Sequence, residues 1–161
     1  MANRSLIVAG FLAFLIDQIS KYLVVHWLSL SRVHSIDVFP PLLNFRYGEN
    51  RGINFGLFND GSDTTRWILI GFSLVVIVAV YIWTSRKQPV RLMQISAGLL
   101  IGGALGNIGD RLIYGYVVDF INMSCCGINN PFVFNVADVF IFVGAMGLIV
   151  FDKKPSGQKG S

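Results

Sequence analysis

The chain has 161 residues, of which 53% are hydrophobic and 14% are charged, and its formal net charge is +4. Soluble domains carry roughly 25% charged residues, so the composition argues against a soluble protein and indicates a membrane protein. The length allows one domain, which we place at residues 1–152. The basic residues are neither clustered nor interleaved with aromatic residues, so the sequence offers no nucleic-acid patch.

Four apolar stretches are candidate membrane spans, which take ~20 residues and at least ~17. In chain order they are residues 5–28, 67–83, 93–108 and 134–151. The first is interpreted as a retained span, because no small-residue cleavage pattern of a signal peptide follows it. Tryptophans bracket the second as interfacial anchors. The third is less hydrophobic than the others because it contains four glycines, which favour close helix packing. They are Gly98, Gly102, Gly103 and Gly106.

Basic residues predict the orientation of these spans. The N-terminus, the connector around Arg86 and the tail from Asp152 together hold seven basic residues and one acidic residue. By the positive-inside rule both termini face the cytoplasm, and the longer segments 29–66 and 109–131 face outward. The polar tail, residues 153–161, is expected to be disordered.

The first outward segment contains short runs of strand-forming residues, punctuated by Pro40-Pro41 and a glycine-containing stretch. These runs are residues 36–39, 42–47 and 54–58. The predicted fold is therefore mainly α. It is a polytopic membrane protein with four transmembrane helices and a small extracytoplasmic β-sheet lying on the membrane surface.

Two aspartates are surrounded by apolar residues near the predicted outward ends of the spans. Asp119 lies in the segment VVDF and Asp138 in FNVAD. An ionised carboxylate near lipid is costly, which makes each a functional candidate. Two converging carboxylates indicate aspartic-protease-type chemistry. The structural alternatives are that Asp138 only begins the fourth helix behind the cap Asn135, and that Asp119 only pairs with Arg111.

Two further pairs of polar residues share helix faces. Asp17 and Lys21 lie four residues apart in the first span, so they either satisfy each other or line a polar inner wall. Asn107 and Arg111 lie one turn apart at the end of the third helix. In one interpretation they only close that helix, with Arg111 paired to Asp110 or capping carbonyl groups at the helix end. In the other they point toward the carboxylates and hold a substrate backbone.

The cysteines, Cys125 and Cys126, are adjacent in the second outward segment. No histidine or second cysteine pair gives them the spacing of metal ligands, and adjacent cysteines rarely pair with each other. We therefore expect no metal site, no cofactor and no thiol mechanism.

Five motifs occur in a fixed order along the chain. They are DQISK at 17–21, NRGINFG at 50–56, GNIGDR at 106–111, VVDF at 117–120 and FNVAD at 134–138. Together with the four apolar stretches, they resemble the bacterial lipoprotein signal peptidases, also called signal peptidase II, from Leu6 to Phe151. Each motif alone is weak, but five in order are specific. The family comprises integral-membrane aspartic proteases of the inner membrane, which cleave prolipoproteins just before a diacylglyceryl-modified cysteine.

The resemblance implies that this chain is such an endopeptidase, with Asp119 and Asp138 as its catalytic pair. The positions that match the lining of the family's site are Asp17, Asn50, Gly52, Asn107, Arg111 and Asn135, and we add Lys21 because it shares a helix face with Asp17. The chain departs from the family at Ile53-Asn54, where two small residues are common. This departure affects the expected shape of the outward loop but not the catalytic pair.

The implied partners are diacylglyceryl-modified prolipoproteins, membrane lipid and globomycin-type cyclic peptide inhibitors. In such a pair one carboxylate activates water while the other, protonated, polarises the scissile carbonyl. A small ion- or proton-coupled transporter is the alternative, but it needs polar groups through the depth of the membrane, and the chain lacks a visible inverted repeat. A scaffold without activity would have no use for two costly carboxylates.

Overall fold

A computed structural model of the chain describes residues 4–52, 63–86, 90–124 and 130–152. The departure at Ile53-Asn54, the third strand-like run, the cysteine pair and the polar tail lie outside these residues. The helices and strands are, in chain order, α1 (Arg4–Tyr22), α2 (Leu30–Val33), β1 (Ser35–Phe39), β2 (Leu43–Asn50), α3 (Asp63–Arg86), α4 (Arg91–Tyr114), β3 (Val117–Met123) and α5 (Val136–Phe151). A π-helical stretch, Leu23–Trp27, extends α1.

Helix α4, predicted as the weakest span, is the centre of the bundle and packs against α1, α3 and α5. In its most apolar window 61% of the residues are buried, compared with 22% in α1 and 17% in α3. Its glycines explain this position. A Cβ at Gly98 would lie 2.8 Å from the Cβ of Ala9 on α1, and one at Gly103 would lie 2.6 Å from the carbonyl oxygen of Ala137 on α5. Neighbouring helices therefore approach the α4 backbone directly, as the glycine spacing predicted.

Three helices in the described part of the chain are long and apolar enough to cross a membrane: α1 with its extension, α3 and α4, each of 24 residues. Phe11, Phe72 and Ile149 are 63%, 67% and 72% exposed, as expected for side chains that face lipid. Helix α5 has 16 residues, or about 24 Å at 1.5 Å per residue, less than the ~30 Å hydrocarbon core. A fourth span therefore stays a prediction.

The predicted ends of two helices need correction. Helix α4 continues to Tyr114, six residues beyond the predicted limit, because GNIGDR is helical and a left-handed Gly115 (φ +85°) ends the helix. Helix α5 begins at Val136, two residues later than predicted, because Asn135 caps it. Both changes place the polar motifs on or next to helices.

The predicted small sheet is present and has three antiparallel strands in the order β1-β2-β3. Strand β3 comes from the second outward segment, and Gly48 of β2 lies opposite Asp119 of β3. On the other edge of β3, Ile121 forms an isolated bridge with Phe134, which precedes α5. The sheet therefore brings the end of β2, the middle of β3 and the beginning of α5 together.

Candidate active site

Asp119 is buried at the centre of this junction, with 3% of its surface exposed. Its two oxygens accept hydrogen bonds from amide groups, Nδ2 of Asn50 at 3.0 Å and Nδ2 of Asn135 at 2.6 Å. Burial, followed by the charge of Asp138, raises the pKa of Asp119 to about 7. The ion pair with Arg111 that the sequence left open is not formed in the described residues. Asp119 therefore retains its proton far more readily than an ordinary aspartic acid.

Asp138 is half-buried in the first turn of α5, where it completes a capping box with Asn135. The Asp138 N–H donates to Asn135 Oδ1 at 2.9 Å, and the Asn135 N–H donates to Asp138 Oδ2 at 3.2 Å. The prediction that Asp138 lies at the beginning of the fourth helix behind the cap Asn135 is therefore confirmed. It accounts for one carboxylate oxygen only, because Oδ1 accepts from Nδ2 of Asn107 at 3.0 Å.

Two asparagine amides connect the two carboxylates. Asn135 Nδ2 donates both to Asp119 and, at 3.2 Å, to Oδ1 of Asn107, whose own Nδ2 donates to Asp138. A continuous chain of hydrogen bonds therefore runs from Asp119 to Asp138 through neutral groups. No lysine or arginine in the described ranges forms a salt bridge with either carboxylate, and no cluster of three or more His, Cys, Asp or Glu there could hold a metal ion.

Arg111 lies beside this chain, on the same face of α4 as Asn107. It interacts electrostatically with both Asp119 and Asp138, while its Nη2 donates to the carbonyl oxygen of Gly52 at 3.4 Å. The sequence alternative that Arg111 pairs with Asp110 is wrong, because Asp110 binds a different cation. Nη1 of Arg111 donates to the carbonyl oxygen of Asn107 at 3.4 Å, so the alternative that Arg111 caps a carbonyl group near the helix end is confirmed. A contact of Arg111 with the substrate backbone stays a prediction.

A second charged cluster lies behind the first. Nζ of Lys21 is 2.8 Å from Asp17 and 2.7 Å from Asp110, and none of the three residues is more than 5% exposed. The prediction that Asp17 and Lys21 satisfy each other is confirmed, but it was incomplete. Asp110 and Gln18, which donates to both aspartates at 3.1 Å, were missed as members of this cluster. One signal was available for Asp110, since Asn107 and Asp110 are three residues apart and adjacent on a helix.

Known proteins of one family are similar to this chain over most of its length. A protein-family model described as signal peptidase (SPase) II matches residues 9–152. The chain belongs to the signal peptidase II family. The resemblance found in the five motifs is therefore confirmed, and the transporter alternative has no support.

Three relatives, each named lipoprotein signal peptidase, illustrate the similarity of the whole chain. The protein of Sphingopyxis alaskensis is 39% identical over 85% of this chain and 78% of its own length. That of Caulobacter vibrioides is 39% identical over 93% and 91%, respectively. That of a Nostoc species is 38% identical over 97% and 95%.

Two solved structures, both of bacterial membrane enzymes, have a similar fold. One is 28% identical with a TM-score of 0.75 and covers 90% of this chain and 85% of its own. The other is 29% identical with a TM-score of 0.73 and covers 90% of each chain. This signal peptidase II family member is thus a multi-pass membrane protein with the small sheet that its sequence predicted.

Proposed function

We propose that the chain removes the signal peptides of prolipoproteins, and that it does so as an aspartic endopeptidase with Asp119 and Asp138 as its catalytic pair. Membership of the signal peptidase II family supports the substrate class. The observation that carries the catalytic assignment is the chain of neutral amides that connects the two carboxylates, neither of which forms a salt bridge with another described residue. Like charges in such a site favour a state in which the pair retains one proton.

The proposed reaction is a hydrolysis. The ionised carboxylate takes a proton from water, and the resulting hydroxide attacks the scissile carbonyl carbon, while the protonated carboxylic acid donates to the carbonyl oxygen. The tetrahedral intermediate then breaks its C–N bond. A proton passes from the pair to the leaving amine, and one hydroxyl group of the intermediate returns its proton to the pair as the carbonyl group re-forms. The two products are the signal peptide and the lipoprotein with a free N-terminal amine, and the pair again holds one proton.

The other predicted site residues fall into three positions around the pair. Asn50 ends β2, Gly52 follows it, and Arg111 on α4 donates to the carbonyl oxygen of Gly52. We propose that these three residues hold the substrate backbone. Asn107 and Asn135 lie between the carboxylates and orient them. Asp17 and Lys21 are buried behind the pair, so their predicted contact with substrate remains a proposal.

We infer an inner-membrane location with both termini cytoplasmic. The first residue of α1, the last of α3 and the first of α4 are arginines at the end of the bundle opposite the sheet: Arg4, Arg86 and Arg91. The positive-inside rule places that end in the cytoplasm and the carboxylates near the outer face. A reporter enzyme fused after Ser161 should then be active only in the cytoplasm, and external labelling of this fusion would contradict the orientation.

We further propose that the substrate carries a diacylglyceryl group on the cysteine after the scissile bond. Its acyl chains already lie in the membrane, so the lipid acts mainly by fixing the depth of the scissile bond, where a small misplacement is costly in rate. Globomycin-type cyclic peptides are expected to compete for the same site.

The test uses the purified protein in detergent with one prolipoprotein, either diacylglyceryl-modified or unmodified. We expect cleavage of the modified form only, inhibition by globomycin, and a loss of about 10⁴-fold in Asp119→Asn and in Asp138→Asn, because each removes an acid–base group. Unchanged melting temperatures would show that both variants remain folded. Full activity in either variant would remove the catalytic assignment, and equal cleavage of both substrates would remove the role of the lipid.

A further inference from the structure

The buried cluster behind the catalytic pair is fully hydrogen bonded. Each of its two carboxylates accepts from Lys21 and Gln18, and each also accepts from one backbone N–H group. Asp17 Oδ1 accepts from the N–H of Ala137 at 2.9 Å, and Asp110 Oδ2 accepts from the N–H of Val118 at 3.1 Å. All four carboxylate oxygens therefore have partners, which is what a buried ionic cluster requires.

The two backbone donors occupy corresponding places in the chain. Val118 immediately precedes Asp119, and Ala137 immediately precedes Asp138. The N–H of Ala137 is one of the donors at the beginning of α5 that have no partner within the helix. One lysine with its two aspartates thus contacts the backbone next to each proposed catalytic residue.

We propose that Asp17, Lys21 and Asp110 are positioning residues that set the separation of Asp119 and Asp138 by holding the backbone of β3 and of α5 to one shared ammonium group. The inference rests on the proposed function, because it assigns these residues a role in the same site. It is an alternative to the substrate contact predicted for Asp17 and Lys21.

The packing of α1 on α4 supports this role. A Cβ at Gly106 would lie 2.6 Å from Oδ2 of Asp17, so only glycine lets the carboxylate reach its position. Lys21 Nζ also lies 3.4 Å from Oδ1 of Asn107, the amide that donates to Asp138. The ammonium group is therefore connected to the catalytic pair through backbone and through side chain.

Removing the ammonium would leave two buried carboxylates without a cation, and β3 and α5 would lose their common anchor. A displacement of about 1 Å between catalytic groups costs about 10²-fold in rate. The substrate contacts proposed at the end of β2 do not involve this cluster. The loss should therefore appear in kcat rather than in KM.

A cavity beside Lys21 would let a small amine from solution take the place of the lysine ammonium group. It has a volume of about 440 Å³, and its lining includes Lys21, Asp110 and Val118 together with Tyr47 and Tyr116. Val118 and Asp119 are neighbours on β3, so their side chains point to opposite faces, and the cavity lies away from the catalytic pair. A small amine can enter it without competing with substrate.

The experiment measures kcat and KM of Lys21→Ala in detergent with and without n-propylammonium, which has the atoms that the substitution removes. We expect kcat to fall about 100-fold with KM within about threefold of the parent, and saturating n-propylammonium to restore at least tenfold. n-Propanol, which has the same shape without the charge, should restore nothing, and neither should the amine act on Lys21→Met, whose side chain fills the space. Arg86→Ala, which removes an exposed cation at the other end of the bundle, should behave like the parent.

A second pair of variants covers the case in which Lys21→Ala does not fold. Asp110→Asn keeps an oxygen for the N–H of Val118, whereas Asp110→Ala does not, and we expect kcat of the former to be at least tenfold higher. Full activity of folded Lys21→Ala would overturn the proposal, as would a loss confined to KM, or an amine that restores the melting temperature but not kcat. Equal kcat values in the two Asp110 variants would overturn it as well. None of these outcomes touches the catalytic assignment, which the Asp119→Asn and Asp138→Asn variants test separately.

Discussion

Two pairs of aspartates can be compared among the described residues, and the partners that they share differ. Asp17 and Asp110 share a lysine that lies 2.7–2.8 Å from each. Asp119 and Asp138 are connected by asparagine amides and form no salt bridge within the described residues. The shared ammonium group offsets the negative charge of the first pair, whereas the second pair has no direct counter-ion and can share a proton. The partner therefore distinguishes the structural pair from the proposed catalytic pair.

The largest expected effect comes from making the second pair resemble the first. In Asn50→Lys an ammonium replaces the amide that lies 3.0 Å from Asp119 Oδ2. We expect this charge to lower the pKa of Asp119 well below 7 and to remove the shared proton, so that activity at neutral pH falls by about 10²–10⁴-fold. The measurement is prolipoprotein cleavage at pH 7. Asn50→Gln, which keeps an amide, is the control, and wild-type activity in the lysine variant would contradict the comparison.

Asn135 both caps α5 and orients the two carboxylates, and substitutions at this position distinguish the two roles. Serine at this position can still accept the Asp138 N–H as an N-cap, but it cannot donate to Asp119 and Asn107 together. We expect Asn135→Ser to lower kcat by about 10–100-fold, the value of one lost hydrogen bond to a charged group, with stability within about 1 kcal/mol of the parent. Asn135→Ala should lose the cap as well and melt at a lower temperature. If serine retained full activity, the bridge would have no role in catalysis.

The pH dependence gives a smaller and more gradual effect. Burial and the charge of Asp138 raise the pKa of Asp119 to about 7, while Asn50, Asn135 and the charge of Lys21 act in the opposite direction. The pair therefore holds its proton below pH 7, and we expect the rate to fall about tenfold for each pH unit above it. A rate that stays level from pH 6 to pH 9 would contradict this assignment.

The same raised pKa of Asp119 affects stability in a definite direction. The folded protein binds this proton more tightly than the unfolded chain, so the contribution to stability is complete below the ordinary pKa of 3.8 and is lost as pH rises through about 7. The melting temperature of the parent should decline over this window. Asp119→Asn removes the titrating group and should flatten that part of the curve.

The smallest expected effect is that of the cysteines. The proposed chemistry uses no thiol, so Cys125→Ser with Cys126→Ser should change kcat by less than about twofold. Cleavage by the double variant, with its melting temperature as the control, is the measurement. A large loss of turnover in folded protein would revive a thiol mechanism.

Local patterns were sufficient for much of the fold and for the residues of the site. The length of the apolar stretches predicted the three long helices, and runs of β-branched and aromatic residues predicted β1 and β2. The glycines of α4 predicted that neighbouring helices contact its backbone. The five motifs indicated the family, which comparisons confirmed. These features depend on residues near one another in the chain, where helix and strand periodicity determine the outcome.

Only the tertiary structure decided which carboxylate has which partner. Nothing local shows that Lys21 on α1 binds Asp110 on α4, 89 residues away, rather than leaving that aspartate to Arg111. Nor does a local pattern show that Asn135, a helix cap, also donates to Asp119 on β3. These contacts form because the glycines of α4 let α1 and α5 approach it closely and because Phe134 pairs with β3. The sequence determined the elements and the polar residues they carry, but the reactivity of each carboxylate follows from charges brought together by packing.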